Sequence, residues 1–227
     1  MMSQQSRGAR AEVEAAPQRS VRRDAILTQA GLMFRDRGYH ATSMRDLAKA
    51  LDLQGSSLYA HVASKEDLLW EIVTDAAAAF EAAVAAVPDD LPPPARLASM
   101  IRGHLGVVAA EHATATVFFQ DWLHLGSERR DAVIAVRDAY QRHFVAVIED
   151  GMATGDFAVD DARVAALIVL SALNWSYQWF DPVGRLGLDQ IADAYARLLL
   201  SGLANGTNAV SAAKAGTGRA HDATPVR

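Results

Sequence analysis

Apolar residues recur at helical spacing along most of the chain between residues 21 and 204. In a first predicted helix, over residues 21–37, positions three and four apart place five apolar side chains on one face: Ile26, Leu27, Ala30, Met33 and Phe34. Gly38 follows, and glycine readily adopts the left-handed conformation with which many helices end. No convincing alternation of apolar and polar residues predicts a β-strand. The pattern therefore predicts an all-α protein.

Three short helices and the start of a longer one are predicted before residue 70. A second helix begins after Thr42 or Ser43, either of which can cap it. The stretch QGSSLYAHV, residues 54–62, predicts a short helix whose N-terminal end carries only small side chains. The next helix begins after Ser64, with Asp67 three residues on as a weaker form of the capping box, and it runs until Pro88.

The segment PDDLPPP, residues 88–94, breaks the helical pattern. Beyond it, five more helices are predicted, at about 94–111, 114–125, 127–154, 160–180 and 188–203. We therefore expect a three-helix head over residues 21–66 and a larger helical bundle over 67–204. Residues 1–20 and 205–227 are rich in small and polar residues without apolar periodicity, which predicts disordered tails.

Composition narrows the class of protein. Apolar residues make up 51% of the chain and charged residues 22%, which is usual for a packed globular protein. The chain contains no cysteine, which excludes disulfide and thiolate chemistry. The N-terminus lacks the apolar core of a secretory signal, and no apolar run reaches the roughly 18 residues that span a bilayer. We therefore expect a cytoplasmic location and no membrane partner.

Charge is unevenly distributed, although the net charge is only −5. Residues 20–65 carry seven basic and four acidic side chains, whereas residues 71–227 carry twelve basic and nineteen acidic ones. A basic head on an acidic body favours a polyanionic partner for the head.

Two short helices joined by a tight turn, the second with a small-residue front, can enter the major groove of double-stranded DNA. Gly55, Ser56 and Ser57 would let the second helix approach base edges and phosphates closely. Tyr59 and His61 lie off its apolar stripe and can reach the sugar–phosphate backbone, while Lys65 adds a charge for phosphate. A solvated helical hairpin explains the same spacing equally well.

A resemblance favours the DNA-binding interpretation. Residues 25–73 contain F…GY..TS…DLA, the small-residue helix ending in LYAHV, and SKEDLL, and together these resemble the N-terminal domain of TetR-family transcriptional repressors. The resemblance implies that the DNA contacts come from Thr42, Ser43, Arg45, Gln54, Gly55, Ser56, Ser57, Tyr59, His61 and Lys65. It also implies a palindromic operator, a small-molecule effector and a homodimer.

The closing helices agree with a dimer. Residues 164–180 are apolar almost all round, which predicts burial on more than one side, and residues 188–203 carry an apolar stripe with no partner of its own. Two such helices from each subunit would form a four-helix interface. The predicted interface residues are Leu167, Ser171, Ile191, Tyr195, Leu198 and Leu199.

Aromatic residues cluster on two of the predicted body helices, together with polar residues, as in apolar ligand pockets. The predicted ligand-binding residues are Phe118, Phe119, Trp122, Phe144, Asn174, Trp175, Gln178 and Trp179. Core packing is the alternative interpretation for most of them.

The segment NWSYQWFDPVGRLGLDQIADAYARLLLSGL, residues 174–203, more loosely resembles TetR members that respond to acyl-CoA thioesters of fatty-acid, phenylacetate or steroid breakdown. This implies an acyl-CoA or aryl-CoA effector. Basic residues for its phosphates would come from Arg102, Arg137, Arg142 and Arg185. A hydrophobic drug-like effector, in a regulator of an efflux pump, is the alternative.

No catalytic constellation is visible, and we expect neither an enzyme nor a bound metal or cofactor. The histidines of the body are scattered, and no HExxH, GxSxG, Walker or GxGxxG motif occurs. A helical protein-interaction module without DNA binding is a further alternative, and it would make the basic head a coincidence.

Overall fold

The computed structural model describes the backbone of residues 21–181 and 183–217, and the side chains of residues 21–181 and 183–204. The described α-helices are α1 (Val21–Arg37), α2 (Met44–Ala50), α3 (Gly55–Tyr59), α4 (Lys65–Ala85), α5 (Pro93–Ala110), α6 (His112–Gln120), α7 (Ser127–Thr154), α8 (Ala162–Asn174) and α9 (Leu188–Thr217). Short 3-10 helices follow α6, at Trp122–His124, and α8, at Trp175–Gln178. The all-α prediction is confirmed, since the described residues form no β-strand.

Local signals in the sequence set the ends of the head helices. Gly38 has φ +87° and lies just beyond α1, because an L side chain disfavours that conformation. Ser43 caps α2 in a full capping box with Asp46, and the Ser64 hydroxyl accepts from the backbone N–H of Asp67 at the start of α4. The predicted caps at Ser43 and Ser64 are therefore confirmed, whereas Thr42 is not a cap.

The head is joined to the body through α4. Leu58 of α3 and Val62 after it are buried, and they belong to one apolar core together with Phe34 of α1 and Leu69 of α4. The same core continues into the body, where it includes Phe118 of α6 and Val133 of α7. Helix α4 runs without a break across the predicted domain boundary at 66/67, so it can transmit movement between the two parts.

The body is a bundle in which α5 packs on α9 and α7 packs on α8. Its second apolar core includes Ile101 of α5, Phe144 and Ile148 of α7, and Val169 of α8. This bundle surrounds the cavity described below with helices from α4 to α8.

Two predicted helices of the body end early. The helix expected over 160–180 gives way to a 3-10 turn at Trp175, where aromatic residues of modest helix propensity follow one another. Tyr177 of that turn is buried, and its ring stacks on Phe119 with centroids 5.3 Å apart. Likewise, the helix expected over 114–125 stops at Gln120 and resumes as a 3-10 turn.

The predicted C-terminal tail begins as helix. Helix α9 continues to Thr217. The predictions for residues 1–20 and 218–227 lie outside the described residues. Within the described part of the chain, no helix has both the length and the apolarity needed to cross a membrane.

Candidate nucleic-acid interface and ligand cavity

The outer surface of the head carries most of the residues predicted to contact DNA. Helices α2 and α3 are joined by a turn in which Asp52 has φ +52°. Leu58 and Val62 anchor α3 to the core, and this leaves its other face outward. The exposed members of the predicted set are Ser43, Arg45, Gln54, Gly55, Ser56, Ser57 and Tyr59.

The fold of the head does not require a glycine at position 55. The φ of Gly55 is not in the left-handed region, and a Cβ built there would meet no protein atom within 4 Å. Neither the backbone conformation nor internal packing therefore requires glycine at this position. A small residue at the start of α3 instead allows a second molecule to approach the backbone closely.

Two side chains predicted to contact DNA also make hydrogen bonds inside the head. Thr42 is buried, and its hydroxyl donates to the carbonyl oxygens of Met33 and Gly38, at 3.2 and 3.1 Å. The ammonium of Lys65 donates to the carbonyl oxygens of Tyr39 and Thr42, at 2.8 and 2.9 Å. It also lies 4.1 Å from the ring centroid of Tyr39. Both residues therefore position the loop that precedes α2.

An arginine of α1 fixes the end of residues 54–62, which we call the recognition segment. The guanidinium of Arg23 donates to the carbonyl oxygen of His61 and forms an ion pair with Glu71 of α4. The side chain of His61 is half-buried. This contact connects three helices of the head, and the sequence pattern gave no sign of it.

A cavity of about 190 Å³ lies in the body between α4, α5, α6, α7 and α8. Its lining is Ala77, Phe80, Glu81, His104, Phe118, Phe119, Val136, Arg137, Asp138, Tyr140, Gln141, Leu167, Leu170, Ser171 and Asn174. Eight of these fifteen residues are apolar or aromatic and seven are polar or charged, and a combination of apolar walls with polar groups is usual in small-molecule sites. Exposed residues of α7 and α8, such as Asp138 and Ser171, place its opening on the side of the body.

A buried polar pair lies at the wall of the cavity. His104 is 1% exposed, and its Nδ1 lies 3.1 Å from the hydroxyl oxygen of Tyr140. Burial lowers the pKa of His104 to about 3 and raises the pKa of Tyr140, so both are neutral at physiological pH. In the sequence, His104 is one of several scattered histidines. The sequence did contain a sign of its role, because His104 is a polar residue on the otherwise apolar face of α5.

The structure brings together only part of the predicted ligand set. Phe118, Phe119 and Asn174 line the cavity, as do Leu167 and Ser171, which were predicted for the dimer interface. Five predicted residues are revised because they lie outside the lining: Trp122, Phe144, Trp175, Gln178 and Trp179. Phe144 is fully buried in the body core, whereas Trp175 and Trp179 are exposed, because α8 ends before them.

The arginines proposed for coenzyme phosphates differ in availability. Arg102 forms ion pairs with Asp189 and Asp193 of α9, with N–O distances of 2.9 and 2.5 Å. Arg137 lines the cavity, and its guanidinium lies over the rings of Phe118 and Trp122. Arg142 and Arg185 are exposed.

An exposed apolar surface runs over α8 and α9. Val164, Leu167 and Ile168 of α8 are at least half exposed, and Leu198 of α9 is 75% exposed. Exposed apolar side chains of this size on two helices are typical of a contact surface. Ile191 is revised, because it is buried within its own subunit. Tyr195 and Leu199 are half-buried.

The beginning of α7 is tied to the beginning of α4. Arg129 forms ion pairs with Asp67 at 2.5 Å and Glu66 at 3.3 Å, and the Gly126 N–H donates to the Glu66 carboxylate at 3.0 Å. The Arg129 and Ser64 hydrogen bonds hold the pKa of Asp67 below its usual value. A second link joins His40 Nε2 to His124 Nδ1, 3.0 Å apart. The helix that lines the cavity is thus connected directly to the head.

A small head that presents a helix-turn-helix, joined to a larger helical body with a cavity, defines a class of DNA-binding regulator. Residues 26–72 match the family model described as bacterial regulatory proteins of the tetR family, and residues 90–203 match the tetracyclin repressor-like C-terminal domain. The chain belongs to the TetR family of transcriptional regulators, in which dimerisation and ligand binding are typical. The resemblance seen in the sequence is therefore confirmed.

Relatives span most of the chain. The transcriptional repressor KstR2 of Rhodococcus jostii (strain RHA1) is 28% identical over 196 residues, which cover 84% of this chain and 95% of KstR2. The crystal structure of PfmR from Thermus thermophilus has a TM-score of 0.73 with 34% identity, over 78% of this chain and 97% of PfmR. AibR, solved with isovaleryl coenzyme A and operator DNA, has a TM-score of 0.73 with 30% identity, over 79% of this chain and 98% of AibR.

Proposed function

We propose that this chain is a homodimeric transcriptional repressor, and not an enzyme, that leaves a palindromic operator in the cytoplasm when an acyl-CoA thioester occupies the body cavity. The observation that carries the proposal is the cavity itself, which is lined by four aromatic rings and lies against the helix tied to the head. The similarity to AibR, which binds isovaleryl coenzyme A and operator DNA, supports this effector class. The similarity to the repressor KstR2 supports repression.

The size of the cavity favours a small acyl group. Its volume of about 190 Å³ is below the roughly 300–1,000 Å³ of pockets for drug-sized ligands, but above the roughly 150 Å³ of an engineered cavity that holds benzene. A short branched chain or a single ring fits such a volume. A long chain or a fused ring system would require the bundle to expand.

The coenzyme part would lie outside this volume and needs basic partners. Arg137 lines the cavity, and the exposed Arg142 lies five residues further along α7. We propose these two residues for the phosphates and exclude Arg102, because its guanidinium is already paired with two carboxylates.

Operator release by matched effectors tests the proposal. A labelled operator is first selected from a pool of random duplexes with the full-length protein. Release is then titrated with isovaleryl-CoA, isovalerate, phenylacetyl-CoA and lauroyl-CoA, and followed by fluorescence anisotropy. We expect the short branched and single-ring thioesters to act at concentrations at least about tenfold lower than the free acid, because each tenfold step requires only about 1.4 kcal/mol of added binding.

Three results would contradict the proposal in different ways. Equal action of isovalerate and isovaleryl-CoA would remove the role of the coenzyme. Release by lauroyl-CoA alone would remove the size argument. If no thioester acts, and a hydrophobic cation such as rhodamine 6G, titrated in the same way, does release the operator, the protein is instead a regulator of the efflux type.

A further inference from the structure

We infer, building on the proposed effector class, that the group entering the cavity carries a carbonyl whose oxygen accepts a hydrogen bond from Nε2–H of His104. His104, on α5, is one of the lining residues, and its ring lies beside those of Phe80 and Phe119, with centroid distances of 4.6 and 6.2 Å.

The Nε2 atom is buried without a hydrogen-bond partner among the described residues. A polar nitrogen in an apolar wall costs stability when it is unpaired. A ligand acceptor at this position would satisfy the nitrogen, and an apolar ligand of the same shape would leave it unpaired. Since Nε2 has almost no accessible surface, a ligand reaches it by displacing a neighbouring side chain of the wall, and a ligand with an acceptor would then be favoured.

The neighbouring tyrosine determines which ring nitrogen carries the proton. The phenol of Tyr140 and the imidazole of His104 are both neutral, because burial disfavours their charged forms. Among the described residues, His104 Nδ1 is the acceptor within reach of the Tyr140 hydroxyl. When that hydroxyl donates to Nδ1, the histidine proton lies on Nε2. The free nitrogen is then a donor, and its ligand partner must be an acceptor.

A neutral carbonyl suits this donor better than a carboxylate. The cavity lining contains one basic and two acidic side chains, namely Arg137, Glu81 and Asp138. A carboxylate would lose its hydration in a lining of net negative charge, whereas a thioester carbonyl carries no charge into it. This gives a physical reason for the preference for thioester over free acid.

Binding of isovaleryl-CoA and its thioether analogue S-(3-methylbutyl)-CoA to the full-length protein tests the inference by calorimetry. The two probes differ only in the carbonyl. We expect wild-type protein to prefer the thioester roughly 5- to 150-fold, which is the effect of one unsatisfied buried donor. The His104→Phe variant should bind both probes equally. Tyr140→Phe should reduce the preference for the thioester, because no hydroxyl then holds the proton of His104 on Nε2. If Tyr140 had only a structural role, its loss would lower the affinity for both probes equally.

A second measurement separates this inference from the proposed effector. In protein labelled with ¹⁵N-histidine, NMR reports the tautomer of His104 and its response to 4-methylpentan-2-one and to the isosteric alkene 2,4-dimethylpent-1-ene. We expect protonation at Nε2 and a shift of that resonance with the ketone but not with the alkene.

The outcomes fall into separate classes. If neither coenzyme probe binds but the ketone shifts Nε2, carbonyl recognition stands and the acyl-CoA effector is wrong. If the thioester releases the operator but the thioether binds equally well, the effector class stands and the role of His104 is overturned. An unprotonated Nε2 in the free protein would also overturn it.

Discussion

At the scale of single residues, His104 makes the stability of the body depend on pH. In the folded protein burial lowers its pKa to about 3, whereas in the unfolded chain it titrates near its ordinary value of about 6.5. Between these values the unfolded chain binds a proton that the folded protein does not. Stability is therefore fully present above about pH 6.5 and is lost progressively as the pH falls towards 3.

We predict that this single group contributes a loss of about 2 kcal/mol between pH 7.5 and pH 5. The free energy of unfolding of wild-type protein and of His104→Phe is measured at both pH values by urea denaturation, at one protein concentration. Between pH 7.5 and pH 5, the free energy of unfolding of wild-type protein should fall by about 2 kcal/mol relative to that of His104→Phe. The other histidines are common to both proteins and cancel in this comparison. An unchanged difference would mean that His104 is charged in the folded protein.

Lys65 and Tyr59 should separate stability from DNA binding. Lys65→Ala removes two hydrogen bonds to the loop before α2 and should lower the free energy of unfolding by about 1–2 kcal/mol, because the donor is charged. Tyr59→Phe, in contrast, should change the free energy of unfolding by no more than about 0.5 kcal/mol relative to wild type, since Tyr59 is 56% exposed. It should still weaken binding to operator and random duplex alike, because contacts to the phosphate backbone carry no sequence information. Anisotropy titrations on both duplexes check this, and a variant with altered sequence preference would contradict it.

At the scale of elements, α7 is the direct connection between cavity and head. Its central turns carry Val136, Tyr140 and Gln141 at the cavity wall, and its first turn holds α4 through Arg129. Helix α4 in turn contacts the recognition segment through Glu71 and Arg23. A ligand that favours another position of α7 would therefore favour another orientation of the head.

We predict that Arg129→Ala reduces the coupling between effector and operator. Removing the ion pairs should leave effector affinity nearly unchanged, but a saturating effector should weaken operator binding at least about fivefold less than in wild type, since coupling energies are typically about 1–3 kcal/mol. Arg130→Ala is the matched control, because Arg130 is the exposed neighbour on the same helix. Equal coupling in wild type and Arg129→Ala would place the connection elsewhere.

The elements could be predicted from the sequence where local chemistry determines them. Gly38, Ser43 and Ser64 mark helix ends, and α7 begins and ends at the predicted residues 127 and 154. The helix-turn-helix followed from the small residues of α3 together with the TetR resemblance. These signals depend on neighbours in the chain and not on distant contacts.

The cavity could be predicted only in part, because tertiary contacts determine which face of each helix it uses. Phe118 and Phe119 were identified from aromatic clustering, but the same clustering suggested Trp175 and Trp179, which became exposed when α8 ended at Asn174. Lys65 and Thr42 bond to carbonyl groups that only the folded loop brings within reach. The sequence could not show that Nε2 of His104 lacks a hydrogen-bond partner, because the groups around it come from other helices.

At the scale of the whole molecule, the exposed apolar surface on α8 and α9 gives the simplest route to a dimer. We predict that the double variant Ile168→Glu/Leu198→Glu is a folded monomer, because these side chains are 61% and 75% exposed and charges there would be buried without partners across the interface. Ile134→Glu, on the exposed side of α7, should remain dimeric. Sedimentation velocity and circular dichroism check both, and a dimeric double variant would move the interface.

The central claim is that an effector in the body cavity makes the protein leave its operator. Gln141 is half-buried at the cavity wall on α7, so Gln141→Trp should fill the cavity and Gln141→Ala should enlarge it. The decisive measurement is the anisotropy of labelled operator during a titration with isovaleryl-CoA, for wild type and both variants. We predict equal operator affinity without effector, release of wild type and Gln141→Ala, and at least about tenfold weaker release of Gln141→Trp, because overpacking opposes ligand entry by about 1–3 kcal/mol. Release of Gln141→Trp at the wild-type concentration would contradict the claim.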